Sequence, residues 1–174
     1  MLAQEWNREL TTRTGFRFTV RAAQPADEAA LAEFFTHVTA DDIRFRFLTG
    51  LKNVGHDRLV AMTAVDHRRT ENFLAFVDGG AEILASAMLA CDADLEVGEV
   101  AIAIREDFKA RGISWDLLRH VAAFAEAKGL KTLQSIETRE SHAAISMERE
   151  MGFVAGPYPG DPTLVLMQRH LNQH

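Results

Sequence analysis

The chain has one cysteine and, across 174 residues, no apolar run near the ~20 residues that a membrane-crossing helix needs. Cys91 alone makes no internal disulfide, so a reducing, cytoplasmic setting is expected. It ends an apolar run and reads as a small core residue rather than a nucleophile. Met1 to Arg13 is mixed polar and acidic-containing, without the apolar stretch of a signal peptide. A basic excess is also missing: 19 Lys and Arg stand against 25 Asp and Glu, for a net charge of −6. That argues against a general nucleic-acid binder, while leaving room for a local basic groove around a polyanion. No H-E-x-x-H, cysteine pair or carboxylate cluster points to a metal, and no G-x-S-x-G points to a serine nucleophile. Repeats, low-complexity tracts and linkers are absent. One domain over residues 1–174 is expected, with its core at about 16–168.

The composition, 47% hydrophobic and 25% charged, is that of an ordinary globular protein. Alternation from Phe16 to Arg21 predicts a half-buried strand. Pro25 and Asp27 open a predicted helix through about Val38, with Leu31, Phe34, Phe35 and Val38 on one face. Short helical stretches are expected at Asp41–Leu48 and His56–Thr63. Glu71–Val77 and Glu82–Cys91 read as a hairpin around Asp78-Gly79-Gly80. A strand over Glu96–Ile104, a helix over about Arg111–Lys128 and a strand over Lys131–Thr138 follow. A helix over Ser141–Met151 and two closing strands, Phe153 onward and Thr163–Gln168, complete a mixed α/β sandwich.

The stretch with most chemical content is Lys109-Ala110-Arg111-Gly112-Ile113-Ser114-Trp115, between an apolar strand and the long helix. A basic, glycine-containing turn opening a helix leaves the first N–H groups unpaired, and the helix dipole reinforces them. Such a turn suits a phosphate or pyrophosphate, although neither G-x-x-x-x-G-K-[ST] nor G-x-G-x-x-G is present. The bland alternative is a basic helix-capping loop without a ligand. Trp115 reads as a packing anchor.

This loop resembles the [RQ]-x-x-G-x-[GA] signature of GNAT-family N-acetyltransferases, which grips the pyrophosphate of acetyl-coenzyme A. Lys109 and Ser114 depart from it; Gly112, which lets backbone approach the phosphates, is retained. The element order resembles the GNAT fold over nearly the whole chain: a mixed, mostly antiparallel twisted sheet flanked by helices and splayed at the cofactor strand. Ala127-Lys128-Gly129-Leu130 is similar to the family's helix-to-strand exit, and Glu148-Arg149-Glu150-Met151-Gly152-Phe153 to its late helix. Asp41–Phe47 and Ala64–Arg69 are similar to segments of the bacterial protein-lysine acetyltransferase subgroup, although no fused partner domain is seen here.

The resemblance implies acetyl-coenzyme A as co-substrate, no metal, and a primary-amine acceptor that is either a protein lysine or a small molecule. The acidic balance and the lack of long apolar runs make neither nucleic acid nor membrane an expected partner, and a homodimer stays open. Cofactor contacts are expected from Ile102, Ala103 and Ile104 through main chain, from Lys109, Ala110, Arg111, Gly112, Ile113, Ser114 and Trp115, and from Ser141. The general base expected in Glu99-x-Ala101-x-x-x-Arg105-x-x-Phe108 is Glu99; a surface carboxylate is the alternative. Strand alternation puts Glu99, Ala101 and Ala103 on one face, where small side chains leave room. His67 is a further candidate to assist an amine. The family's late-helix tyrosine is replaced by Glu148, and the only tyrosine, Tyr158, lies beyond that helix. The rival reading is a non-catalytic acyl-coenzyme A sensor or regulatory module.

Overall fold

A computed structural model of the protein describes residues 6–39, 42, 55–77 and 80–171. Eight strands form one sheet: β1 (Arg8–Thr11), β2 (Arg17–Ala22), β3 (Thr70–Val77), β4 (Ile83–Cys91), β5 (Val97–Ile104), β6 (Thr132–Thr138), β7 (Val154–Pro157) and β8 (Leu164–His170). The helices are α1 (Glu28–Phe35), α2 (His56–Thr63), α3 (Ile113–Lys128) and α4 (His142–Glu150), with single 3-10 turns at Pro25–Asp27 and Glu106–Phe108. The sheet order is β1-β2-β3-β4-β5-β6-β8-β7, antiparallel at every junction except β5 with β6. The mostly antiparallel, helix-flanked sheet is the predicted one.

Most boundaries move by one or two residues, as frayed ends do. The predicted helix through Val38 becomes a 3-10 turn followed by α1, ending at Phe35. Its start is fixed by Asp27, which takes two hydrogen bonds from the Arg21 guanidinium at 2.7 and 2.8 Å and one from the Gln24 N–H. That guanidinium holds the Asp27 carboxyl below its ordinary range. The helical stretch at Asp41–Leu48 falls outside the described residues apart from Asp42, as do Asp78 and Gly79 of the hairpin turn. The strand pair closing the sheet is interleaved: β8 inserts between β6 and β7.

The sheet lies between two cores. On one face, Ile113, Leu117, Leu118, Val121 and Phe124 of α3 pack on Phe18, Phe73, Leu89, Val100, Leu133 and Met167. Each such side chain, fully buried, contributes ~1.5–3 kcal/mol relative to exposure. On the other face, Leu31 and Phe34 of α1 and Leu59 and Met62 of α2 cover Leu74, Ile83 and Ala103. The helix α3 stops at Gly129, whose φ of +93° suits a residue without Cβ. Gly129 N–H donates to Glu126 O and Leu130 N–H to Ala125 O, closing the last turn and aiming the chain into β6.

Candidate functional site

Strands β5 and β6 share three rungs, Val97 with Thr132, Gly98 with Leu133 and Glu99 with Gln134, and then part. Among the described residues β5 runs on to Ile104 paired only to β4, and β6 runs on to Thr138 paired to β8. The β5 edge from Val100 to Ile104 therefore faces an open wedge. Backbone groups along such an edge must find partners, and an extended ligand arm can supply them. Ile102, Ala103 and Ile104 lie along this edge. Ala103 points its side chain into the α1/α2 core, and Ile102 and Ile104 lean on the α3 core, leaving main chain for the wedge.

The loop from β5 to α3 is built for close approach. Ala110 has φ +63° and Gly112 +83°, two left-handed residues on either side of Arg111. A non-glycine residue in that region carries strain, which collects at functional loops. Among the described residues no acceptor takes the backbone N–H groups of Ala110, Arg111, Gly112, Ile113, Ser114 or Trp115. Six consecutive free donors at the positive end of a 16-residue helix form an anion cradle. A Cβ on Gly112 would touch only Thr12, at 3.5 Å, so the outward side of the turn is open. These residues fit a pyrophosphate.

The flanking cations are arranged differently from the sequence expectation. Lys109 turns its ammonium to Asp42 at 2.7 Å rather than into the cradle. Arg111 stacks over Phe108 and Phe16, at 5.0 and 5.7 Å from their ring centres. Arg13 lies 5.2 Å over the Trp115 ring, so Trp115 is a platform shared with the β1–β2 turn. That turn went unrecognised in the sequence; its only signal is Gly15 between short polar stretches. Arg105, 8% exposed, anchors the loop by pairing with Asp107, Glu33 and Glu82 at 3.1, 3.4 and 3.5 Å.

Glu99 stands at the last rung before the wedge, on the α1/α2 side of the sheet, as the alternation predicts. It is exposed, and no partner for its carboxylate occurs among the described residues. In its row lie Thr70, Ala90 and Gln134, small or polar neighbours that leave room for an acceptor. His67 does not join it. Its Nδ1 bonds the Glu71 carboxylate at 2.9 Å, and Glu71, next to Thr70 on β3, faces the opposite side of the sheet. Ser141 stands at the N-cap position of α4, but its hydroxyl makes no capping bond and instead shares a 2.9 Å hydrogen bond with the Thr138 hydroxyl at the outer end of β6. Cys91 is a buried free thiol whose pKa burial raises, as a core residue should be.

The acetyltransferase (GNAT) family model matches residues 32–153. An acetyltransferase of Pseudomonas aeruginosa is 24% identical over 154 residues, covering 87% of this chain and 83% of that protein. The GNAT domain of an S. lividans PAT superposes with a TM-score of 0.88 at 19% identity, covering 96% and 98% of the two chains. A putative acetyltransferase from Salmonella typhimurium, solved with acetyl-CoA, superposes at 0.70 with 20% identity over 90% and 95%. A family match over most of the chain, on a fold with this wedge and loop, makes the chain a member of the acetyltransferase (GNAT) family of acyltransferases.

Proposed function

We propose that the protein moves an acetyl group from acetyl-CoA directly to a primary amine, on a protein lysine or a small molecule, with Glu99 as general base. The observation that carries this is the parting of β5 from β6 immediately after Glu99, beside six N–H groups at the start of α3 that have no acceptor among the described residues. The α3 cradle binds the pyrophosphate, and the free β5 edge aligns the pantetheine arm by main-chain hydrogen bonds. The small row beside Glu99 receives the amine. An amine with a pKa near ~10 arrives protonated, and Glu99 removes that proton directly or through water. The buried free thiol of Cys91 supports a reducing, cytoplasmic setting.

The test is Glu99→Gln, which keeps size and hydrogen bonding but not basicity. Acetylation, followed as thiol release with a panel of amines and lysine peptides, is expected to fall ~10²–10⁴-fold. Coenzyme A affinity by calorimetry is expected to stay within twofold, because Glu99 lies away from the cradle. Equal turnover in the two proteins removes Glu99 from the reaction. Coenzyme A binding with no turnover on any amine favours the sensor.

A further inference from the structure

We propose that Glu137 and Glu148 form a proton-sharing carboxyl pair that protonates the departing coenzyme A sulfur from the side of the sheet opposite Glu99. The proposal rests on the reading of the wedge given above. Ser135 is the first β6 residue beyond the last rung with β5, and Glu137 follows two positions later on the same face. Both share the side of Leu133, which belongs to the α3 core, whereas Glu99 belongs to the α1/α2 side. From α4, Glu148 reaches in with only 4% exposure, and the Ser135 hydroxyl donates to its Oε1 at 2.5 Å. Glu137, half-buried and two positions beyond Ser135 on the same face of β6, neighbours the Glu148 carboxyl that Ser135 holds.

Two neighbouring carboxyls, Glu148 buried and Glu137 half-buried, do not readily ionise together unless a cation intervenes. Among the described residues none does. Arg169 on β8 turns to Glu126 at 3.8 Å, and His142, Arg149 and Glu150 of α4 are exposed. Burial and the neighbouring Glu148 hold the Glu137 carboxyl well above its ordinary range, so the pair retains a proton at neutral pH. A protonated carboxyl pair is costly to bury and does little for a core, but it supplies an acid where a thiolate must leave.

The balance closes with these groups. The amine lone pair forms the C–N bond, the C–S bond breaks, and its electron pair stays on sulfur. The pair's proton moves to that sulfur to give the free thiol, while Glu99 takes the amine proton on the other face. Water at the open end of the wedge then restores both groups. The cradle also lies on the α3 side, so a pantetheine arm entering from there brings its sulfur to the face that holds the pair.

Two measurements test this with Glu137→Gln and Glu148→Gln. Infrared difference spectra of the unliganded protein at pH 7 are expected to show a protonated-carboxyl carbonyl band that Glu137→Gln removes. Absence of that band overturns the proton store, whatever becomes of Glu99. In turnover, kcat of the unmodified protein is expected to fall at high pH as the pair ionises. Each variant should be ~10–10²-fold slower at pH 7 and lack that fall, with coenzyme A affinity within twofold. An unchanged high-pH limb in both variants, or unchanged rates, sinks the proposal. Glu99→Gln is read separately at pH 7, so failure of the base leaves the infrared arm standing.

Discussion

At the scale of single residues, His120 on α3 makes the sharpest statement about pH. Its ring is 6% exposed, stands edge-on to Phe73 at 4.9 Å and Trp6 at 5.5 Å, and leaves Nε2 without a partner among the described residues. Burial, aided by the charge of Arg8, lowers its pKa to about 4. The folded protein thus refuses a proton that the unfolded chain accepts below ~6.5. Stability is unaffected above that pH and declines as pH falls from ~6.5 toward about 4. Between pH 7 and 4.5 the loss is on the order of 2–3 kcal/mol. Urea unfolding of the unmodified protein and His120→Phe at both pH values checks this: the variant should lose less by about that amount, and parallel losses would refute it. Nothing in the sequence marks His120 out, because its burial depends on Phe73 and Trp6, both far along the chain. The same holds for Glu137 and Glu148. Eleven positions apart, they meet only because β6 and α4 fold back on each other.

At the scale of elements, the loop and α3 act as one unit. Gly112→Asp is expected to fold, because its Cβ meets Thr12 at an ordinary distance and the left-handed φ costs ~1 kcal/mol. It places a carboxylate against the cradle. Coenzyme A at 100 times its Kd should stabilise the unmodified protein by about 2.7 kcal/mol, read as a rise in melting temperature. The variant should show no rise, and a full rise would move the anion site elsewhere. The helix itself was legible, since apolar spacing between Ile113 and Ala125 and Gly129 beyond it are side-chain signals. β1 was not: four residues with three exposed, Arg8, Glu9 and Thr11, carry no apolar alternation. Nor was the Lys109–Asp42 pair, which joins residues 67 positions apart.

At the scale of the whole molecule, the order of strands and helices was readable because both faces of the sheet are covered and the apolar periods are strong. The wedge was visible only through family likeness. β5 keeps the same apolar pattern on both sides of Glu99, and the loss of a neighbour is written in backbone hydrogen bonds, not side chains. Its geometry bears on how the protein comes apart. Two hydrogen-bonded slabs, β1 to β5 and β6 to β8, are laced by three rungs and by the packing of α3 across them. Heat should find that seam first. The free protein is expected to melt with a calorimetric enthalpy above the van't Hoff value, and coenzyme A should bring the two together. A ratio of one in both states would show that α3 alone makes the slabs a single cooperative unit. If the seam does open, the donor substrate is also the missing lacing of the fold, and between turnovers the protein is a looser solid than during them.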